Sequence, residues 1–287
     1  MAGFQHLKEE FERRGFVVLR GVLEGDRVSR YKKILVEMAG NYQKSWTLPD
    51  GVAQTEAFWE AVTNPRLHGV LESLFDGEGY AFLQHNDLHV GFSSPAWHRD
   101  SINRTFGVGP DWDESIEPYR LVRVGTYLQE FAGSGFKLGL IPGSHRPAEH
   151  LDPEIHKQIE RRSGTLAGGV KMLSGKDFLE DFAEWVATEP GDCVIFDPRV
   201  LHTGSRFEGA KFSFFMGFGV PNSHFFNHYH YYRHLRKDLG YRAFPEGFAA
   251  LLKSSGLYAP EKEGAGEIEG AWVPGATYNR LAKWFKS

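Results

Sequence analysis

The chain has 287 residues, enough for one large all-β or mixed domain or for two ordinary ones. Hydrophobic residues make up 41% and charged residues 24%, which supplies a sizeable core, and a net charge of −4 gives no electrostatic reason to expect nucleic acid or an anionic membrane surface. A single cysteine, Cys193, excludes an intrachain disulfide, and no apolar run approaches a bilayer span, so a cytoplasmic protein without a membrane partner is expected. The segment Met1–Glu10 is acidic and amphipathic and lacks the apolar stretch of a secretory signal.

The first 78 residues read as helices around one strand. Phe4, Leu7 and Phe11 share a helical face that Gly15 ends, and Phe16–Arg20 is a short strand. Val28, Tyr31, Leu35 and Met38 give a second helix its apolar face. Asn64-Pro65 starts a third, with Asn as N-cap and Pro at the first helical position, and Leu67, Val70, Leu71 and Leu74 form its buried face. From 79 to about 220 the pattern becomes that of strands. Tyr80–Phe92 sets Phe82, Leu88, Val90 and Phe92 on one face and His85, Asp87 and His89 on the other. Leu121–Glu130, Lys137–Ile141, Asp192–Asp197 and Lys211–Val220 are further strands, separated by Pro-Gly turns at 142–143 and 190–191. Residues 147–187 and 221–255 read as helical stretches over the strands. A mainly β fold with helical decorations, in one domain over 1–287, follows, with 221–287 as a helical covering.

The chemistry lies in Trp97-His98-Arg99-Asp100 and in the later His202-Thr203-Gly204. Positions i and i+2 of a strand face the same way, so His98 and Asp100 can meet one ion, with His202 as third ligand from a neighbouring strand end. Two imidazoles and a carboxylate cover one face of an octahedral ion and leave three positions open, the pattern of non-haem Fe(II) oxygenases. A second His-x-Asp, His85-Asn86-Asp87, competes. It sits in mid-strand with His89 on its face, whereas His98 stands at a strand start before a long glycine-containing loop. His85, Asp87 and His89 therefore read as cavity lining or as groups around the ligands.

His98-Arg99-Asp100, Val122–Gln129, Ile141-Pro142-Gly143-Ser144-His145 and Gly191–Phe196 running into His202-Thr203-Gly204 occur in this order. With the opening helix, strand and helix, the series resembles the phytanoyl-CoA dioxygenase family of Fe(II)/2-oxoglutarate oxygenases over residues 4 to 220. The resemblance implies a double-stranded β-helix (jelly roll, cupin-like) with N-terminal and inserted helices, and the cofactors Fe(II), 2-oxoglutarate and O2. It implies oxidation of a small-molecule C–H bond with release of succinate and CO2. Related halogenases carry a small residue in place of the carboxylate, so Asp100 points to hydroxylation over halogenation.

The family holds the distal carboxylate of 2-oxoglutarate with a basic residue about ten positions beyond the second histidine. Here Lys211 and Ser213 keep the basic-x-Ser spacing on the expected strand, with lysine in place of the forked arginine. Arg206 and Arg123 are alternative anchors, and Thr126 and Thr203 further hydroxyl donors. Asn103, Arg104, Phe106 and Trp112 lie on the loop that follows the first two ligands and are expected to reach substrate. The run His228–Arg236 reads as a helix that packs its tyrosines on the barrel. The lysine departure keeps open a cupin-like metalloenzyme without 2-oxoglutarate, and a non-catalytic binding barrel is a third reading.

Overall fold

The computed structural model describes residues 4–40, 45–91, 96–147, 150–163, 178–206, 209–260 and 266–274. Its centre is a six-stranded antiparallel sheet in the order β1 (Phe16–Leu19), β7 (Cys193–Phe196), β4 (Leu121–Tyr127), β9 (Lys211–Gly219), β3 (Ala81–Gly91) and β2 (Trp46–Pro49). A second sheet has the order β6 (Glu184–Ala187), β5 (Lys137–Leu140) and β8 (His202–Gly204). Phe16, Tyr127, Val194 and Phe196 of the large sheet pack with Leu138, Leu140 and Val186 of the small one and with Phe136 just before β5, so the two are layered over a shared core.

Strand alternation gives the large sheet two unlike faces. Its outer face carries Phe82, Leu88, Val90, Val122, Val124, Phe212, Phe214, Met216 and Phe218 and is covered by helices. The helix Gly25–Ala39 buries Val28, Tyr31 and Leu35 there, while Met38, expected on the same face, is 38% exposed. The helix Pro65–Leu74 buries all four residues expected of it, and the Asn64 side chain accepts from the backbone N–H groups of Arg66 and Leu67. Tyr31, Phe58 and Phe214 form an aromatic cluster with centroids 4.8–5.6 Å apart. Gly15 ends the first helix, Gln5–Arg14, in the left-handed region at φ 81°, where a Cβ would stand 2.4 Å from His145 Nδ1.

Several elements differ from the sequence expectation. β2 was not expected, because Trp46–Pro49 is short and ends in proline; it is an edge strand paired only with β3. β6 lies within a stretch read as helical. β4 stops at Tyr127 and not at Glu130. β3 carries an irregularity between Leu83 and Asp87 in which it gains two residues on β9, so its inside–outside alternation survives. Phe92, placed on its outer face, lies outside the described residues. The run from His228 divides between the end of a helix, Ser223–His230, and a wider π-type turn, Tyr231–Leu235; Tyr229, Tyr231 and Tyr232 are buried as expected.

Candidate metal centre

The inner face of the large sheet and the edge of the small sheet enclose a cavity of about 390 Å³. Its lining includes His85, Asp87 and His89 of β3, Arg123 and Tyr127 of β4, Lys211 and Phe215 of β9, and Phe136 and Leu138 around β5. His98, Asp100 and His202 complete it. The two histidines are paired through the main chain: His98 N–H donates to His202 O at 2.9 Å and His202 N–H to His98 O at 3.0 Å. Asp100 N–H is held by Pro198 O at 2.9 Å.

One ligand atom from each of His98, Asp100 and His202 falls within 4.8 Å of the others. Each histidine has its Nδ1 2.9 Å from a carbonyl, that of Ala96 for His98 and that of Val200 for His202. A carbonyl only accepts, so Nδ1 carries the proton and each Nε2 lone pair is free. Those Nε2 atoms lie 3.7 and 3.9 Å from Asp100 Oδ1. Burial and the neighbouring His98 bring the His202 imidazole down to about 4, and burial also lowers His98, so both are neutral at physiological pH. Burial alone would raise the Asp100 carboxyl, but His202 and Arg123 outweigh it and hold it well below the usual range. Two neutral nitrogens and one carboxylate, with no thiolate, fit a divalent ion of the iron type.

Arg123 is not free to anchor a co-substrate. Its guanidinium is buried and donates from Nε to Asp100 Oδ2 at 3.2 Å, from Nη2 to Asp87 Oδ2 at 2.7 Å and from Nη1 to His85 O. Its space depends on Gly125, where a Cβ would meet the Phe215 ring at 2.6 Å. That ring in turn covers the Arg123 guanidinium at 5.4 Å.

Lys211 and Ser213 lie on the inner face as expected. Lys211 Nζ sits near the rings of Phe136 and Phe215, at 5.1 and 5.9 Å, and makes no ion pair or hydrogen bond among the described residues. Burial lowers it to about 8. Ser213 Oγ and Tyr127 Oη are buried without a hydrogen-bond partner among the described residues. Among the described residues, a cation without an ion pair and the unsatisfied Tyr127 hydroxyl line one cavity, with the unsatisfied Ser213 hydroxyl on the same strand face behind them, and such a set fits an anionic ligand. Tyr127 was absent from the expected anchors, although it shares the parity of Arg123 on β4.

Other expected residues lie elsewhere. Thr126 is one position from Tyr127 and so faces outward, with Oγ1 3.2 Å from Cys193 Sγ. Thr203 likewise turns away from the side that His202 and Gly204 present to the cavity. Arg206 is exposed and does not line the cavity. Asn103 organises its own loop: its Oδ1 accepts from Asp111 N–H at 3.0 Å and its Nδ2 donates to Glu269 O at 2.7 Å. Trp112 donates to Asn103 O at 3.0 Å and packs on Phe106, and Arg104 stacks on Trp272 at 3.9 Å. None of these loop residues lines the cavity. His85, Asp87 and His89 do line it; His85 stacks on Tyr232 with centroids 3.8 Å apart, and His89 Nδ1 meets Thr47 Oγ1 at 3.2 Å. His228, read only as part of a packing helix, lies fully buried beside His85 with centroids 5.5 Å apart.

The family model of phytanoyl-CoA dioxygenase (PhyH) matches residues 11–212. Among solved structures, the chain is similar to SnoN, a non-heme alpha ketoglutarate dependent epimerase from nogalamycin biosynthesis, at 16% identity and a TM-score of 0.52, covering 76% of this chain and 83% of that one. It is similar to HygX from Streptomyces hygroscopicus, solved with nickel and 2-oxoglutarate bound, at 16% identity and a TM-score of 0.52, covering 74% and 84%. AviO1 from Streptomyces viridochromogenes gives 16% identity and a TM-score of 0.50, covering 77% and 96%. No curated protein matches the chain in sequence. Likeness at these identities establishes the fold, a cupin-like jelly roll. Among the described residues no helix is long and apolar enough to cross a membrane.

Proposed function

The chain belongs to the phytanoyl-CoA dioxygenase family, and from that premise we propose that it is an Fe(II)- and 2-oxoglutarate-dependent dioxygenase that hydroxylates a C–H bond of a small molecule. His98, Asp100 and His202 hold the metal. Lys211, Ser213 and Tyr127 bind the distal carboxylate of 2-oxoglutarate. Bound together, metal and co-substrate supply oxidation of an unactivated C–H bond by O2, coupled to conversion of 2-oxoglutarate to succinate and CO2. SnoN has been solved with Fe3+ and alpha ketoglutarate, and HygX with nickel, 2-oxoglutarate and hygromycin B, which makes a small-molecule substrate the natural reading.

The chain's own residues supply position and dryness. The Ala96 and Val200 carbonyls orient the two imidazoles. Phe136, Leu138 and Phe215 exclude water around Lys211, which strengthens its attraction for a carboxylate. We take residues 1–287 as one domain. In support, Phe248 of the helix Glu246–Ser254, beyond the family match, packs on Phe82 of β3 with centroids 5.2 Å apart.

The observation that carries this reading is the coincidence, in one cavity, of two Nε2 lone pairs, one carboxylate oxygen and a lysine that makes no ion pair among the described residues. Adding Fe(II) and 2-oxoglutarate without oxygen should produce the visible charge-transfer band of the chelated co-substrate. The band should vanish in the double variant His98→Ala, Asp100→Ala. A wild-type protein that shows no band is not a 2-oxoglutarate enzyme.

A further inference from the structure

We propose that Arg123 is a positioning residue that restricts Asp100 to a single metal-binding oxygen; this rests on the metal centre proposed above. A carboxylate can ligate through one oxygen or through two. The two oxygens of Asp100 have different neighbours. Oδ1 faces His98 Nε2 and His202 Nε2 at 3.7 and 3.9 Å, while Oδ2 accepts from Arg123 Nε at 3.2 Å. Turning Oδ2 toward the ion would break that bond and leave a buried guanidinium N–H unsatisfied.

Arg123 cannot follow the turn, because it is held at its other end. Nη2 is fixed by Asp87 Oδ2 at 2.7 Å and Nη1 by the His85 carbonyl. Its side chain is only 3% exposed, so a lost partner would leave a largely desolvated N–H. Asp87 is thus the far post of a strut: β3 holds β4's arginine, and the arginine holds the ligand that follows β3 in the chain.

The count of coordination positions gives the strut its consequence. A six-coordinate ion held by two imidazoles and one oxygen would keep three positions, enough for a chelating co-substrate and O2. A two-oxygen Asp100 would leave two positions in total and none for O2. Charge alone does not achieve this, since a lysine at 123 would balance the same carboxylates without the fixed fork.

The test uses the full chain, Mn(II) without oxygen, and aspartate labelled with carbon-13 in the carboxyl group. The separation between the antisymmetric and symmetric carboxylate stretches in the metal-minus-apo infrared difference spectrum is wide for one-oxygen and narrow for two-oxygen ligation. Wild type should show the wide separation. Arg123→Lys should narrow it and weaken Mn(II) affinity by about ten- to a hundredfold, the usual cost of losing a partner of a metal ligand. An Arg123→Lys protein with wild-type separation and affinity overturns the assignment while leaving the metal centre standing. A wild type that binds no Mn(II) removes both. Should Arg123→Lys fail to fold, Asp87→Asn keeps the arginine and loosens the strut; the separation should narrow there too, and an unchanged one overturns the proposal.

Discussion

The two faces of the large sheet come from the same strands and differ in almost every respect. On β9, Phe212, Phe214, Met216 and Phe218 go outward into a helix-covered core, while Lys211, Ser213 and Phe215 take the inner face and Lys211 and Phe215 line the cavity. On β4, Val122 and Val124 go outward while Arg123 and Tyr127 go inward. The outer face is satisfied by packing and needs nothing else. Among the described residues, the inner face contains groups left incomplete: Lys211 without an ion pair, the unpartnered hydroxyls of Ser213 and Tyr127, and two histidine lone pairs. One face stabilises the fold and the other keeps its interactions for ligands. A face that costs stability in order to be ready for a ligand is the usual mark of a functional surface.

This division can be broken most severely from the outside. Phe214→Ala removes a fully buried ring from the Tyr31–Phe58–Phe214 cluster and should cost about 3–5 kcal/mol of unfolding free energy. Chemical denaturation measures it, and the protein that remains folded should bind metal as wild type does. If metal affinity falls as steeply as stability, the faces are not independent.

From the inside, Lys211→Met should weaken 2-oxoglutarate binding by about 2–3 kcal/mol, as for truncating one member of a buried charged pair. Stability should hold or rise, because a half-buried charge without an ion pair among the described residues is removed. Isothermal titration with Ni(II)-loaded protein measures the first and thermal melting the second. The same lysine sets a pH dependence. Burial lowers it to about 8, so below that pH the ammonium is present to meet the carboxylate. As pH rises through about 8 the empty site loses its charge and the apparent affinity should fall. Affinity flat from pH 7 to 9 would place the carboxylate anchor elsewhere.

The smallest effect sharpens the boundary between the faces. Thr126→Val exchanges one outward residue for another and gives up only the contact with Cys193 Sγ. It should change stability by about 1 kcal/mol or less and leave 2-oxoglutarate affinity untouched. A loss of affinity in titration would mean that Thr126 reaches the cavity after all.

Much of the inner face is legible in the sequence because period-two alternation is a local property. His85, Asp87 and His89 announce a polar strand face, and His98-Arg99-Asp100 announces a shared direction for its outer members. The same rule, applied along β4, separates Thr126 from Tyr127 and would have favoured the tyrosine. Arg123 is visible as a charge within Leu121-Val122-Arg123-Val124, but its partners come from β3 and from the segment after it, so its role depends on tertiary pairing. The loop residues Asn103 and Trp112 misled for a different reason. Following the ligands in sequence brings them close to the site, but their polar groups are consumed in closing the loop on Asp111 and Glu269. β2 and β6, four residues each, carry too little pattern to separate a short strand from the stretches around them.

The reciprocal main-chain pair between His98 and His202 has a consequence for how this protein can change. The separation of the two imidazoles is a property of that pairing, and the length of chain between them does not enter it. Loops in the interval, such as the one spanning 101–119, can therefore be lengthened, shortened or exchanged while the two nitrogens keep their places. Within this scaffold the paired imidazoles and the loops between them are free to evolve at different rates.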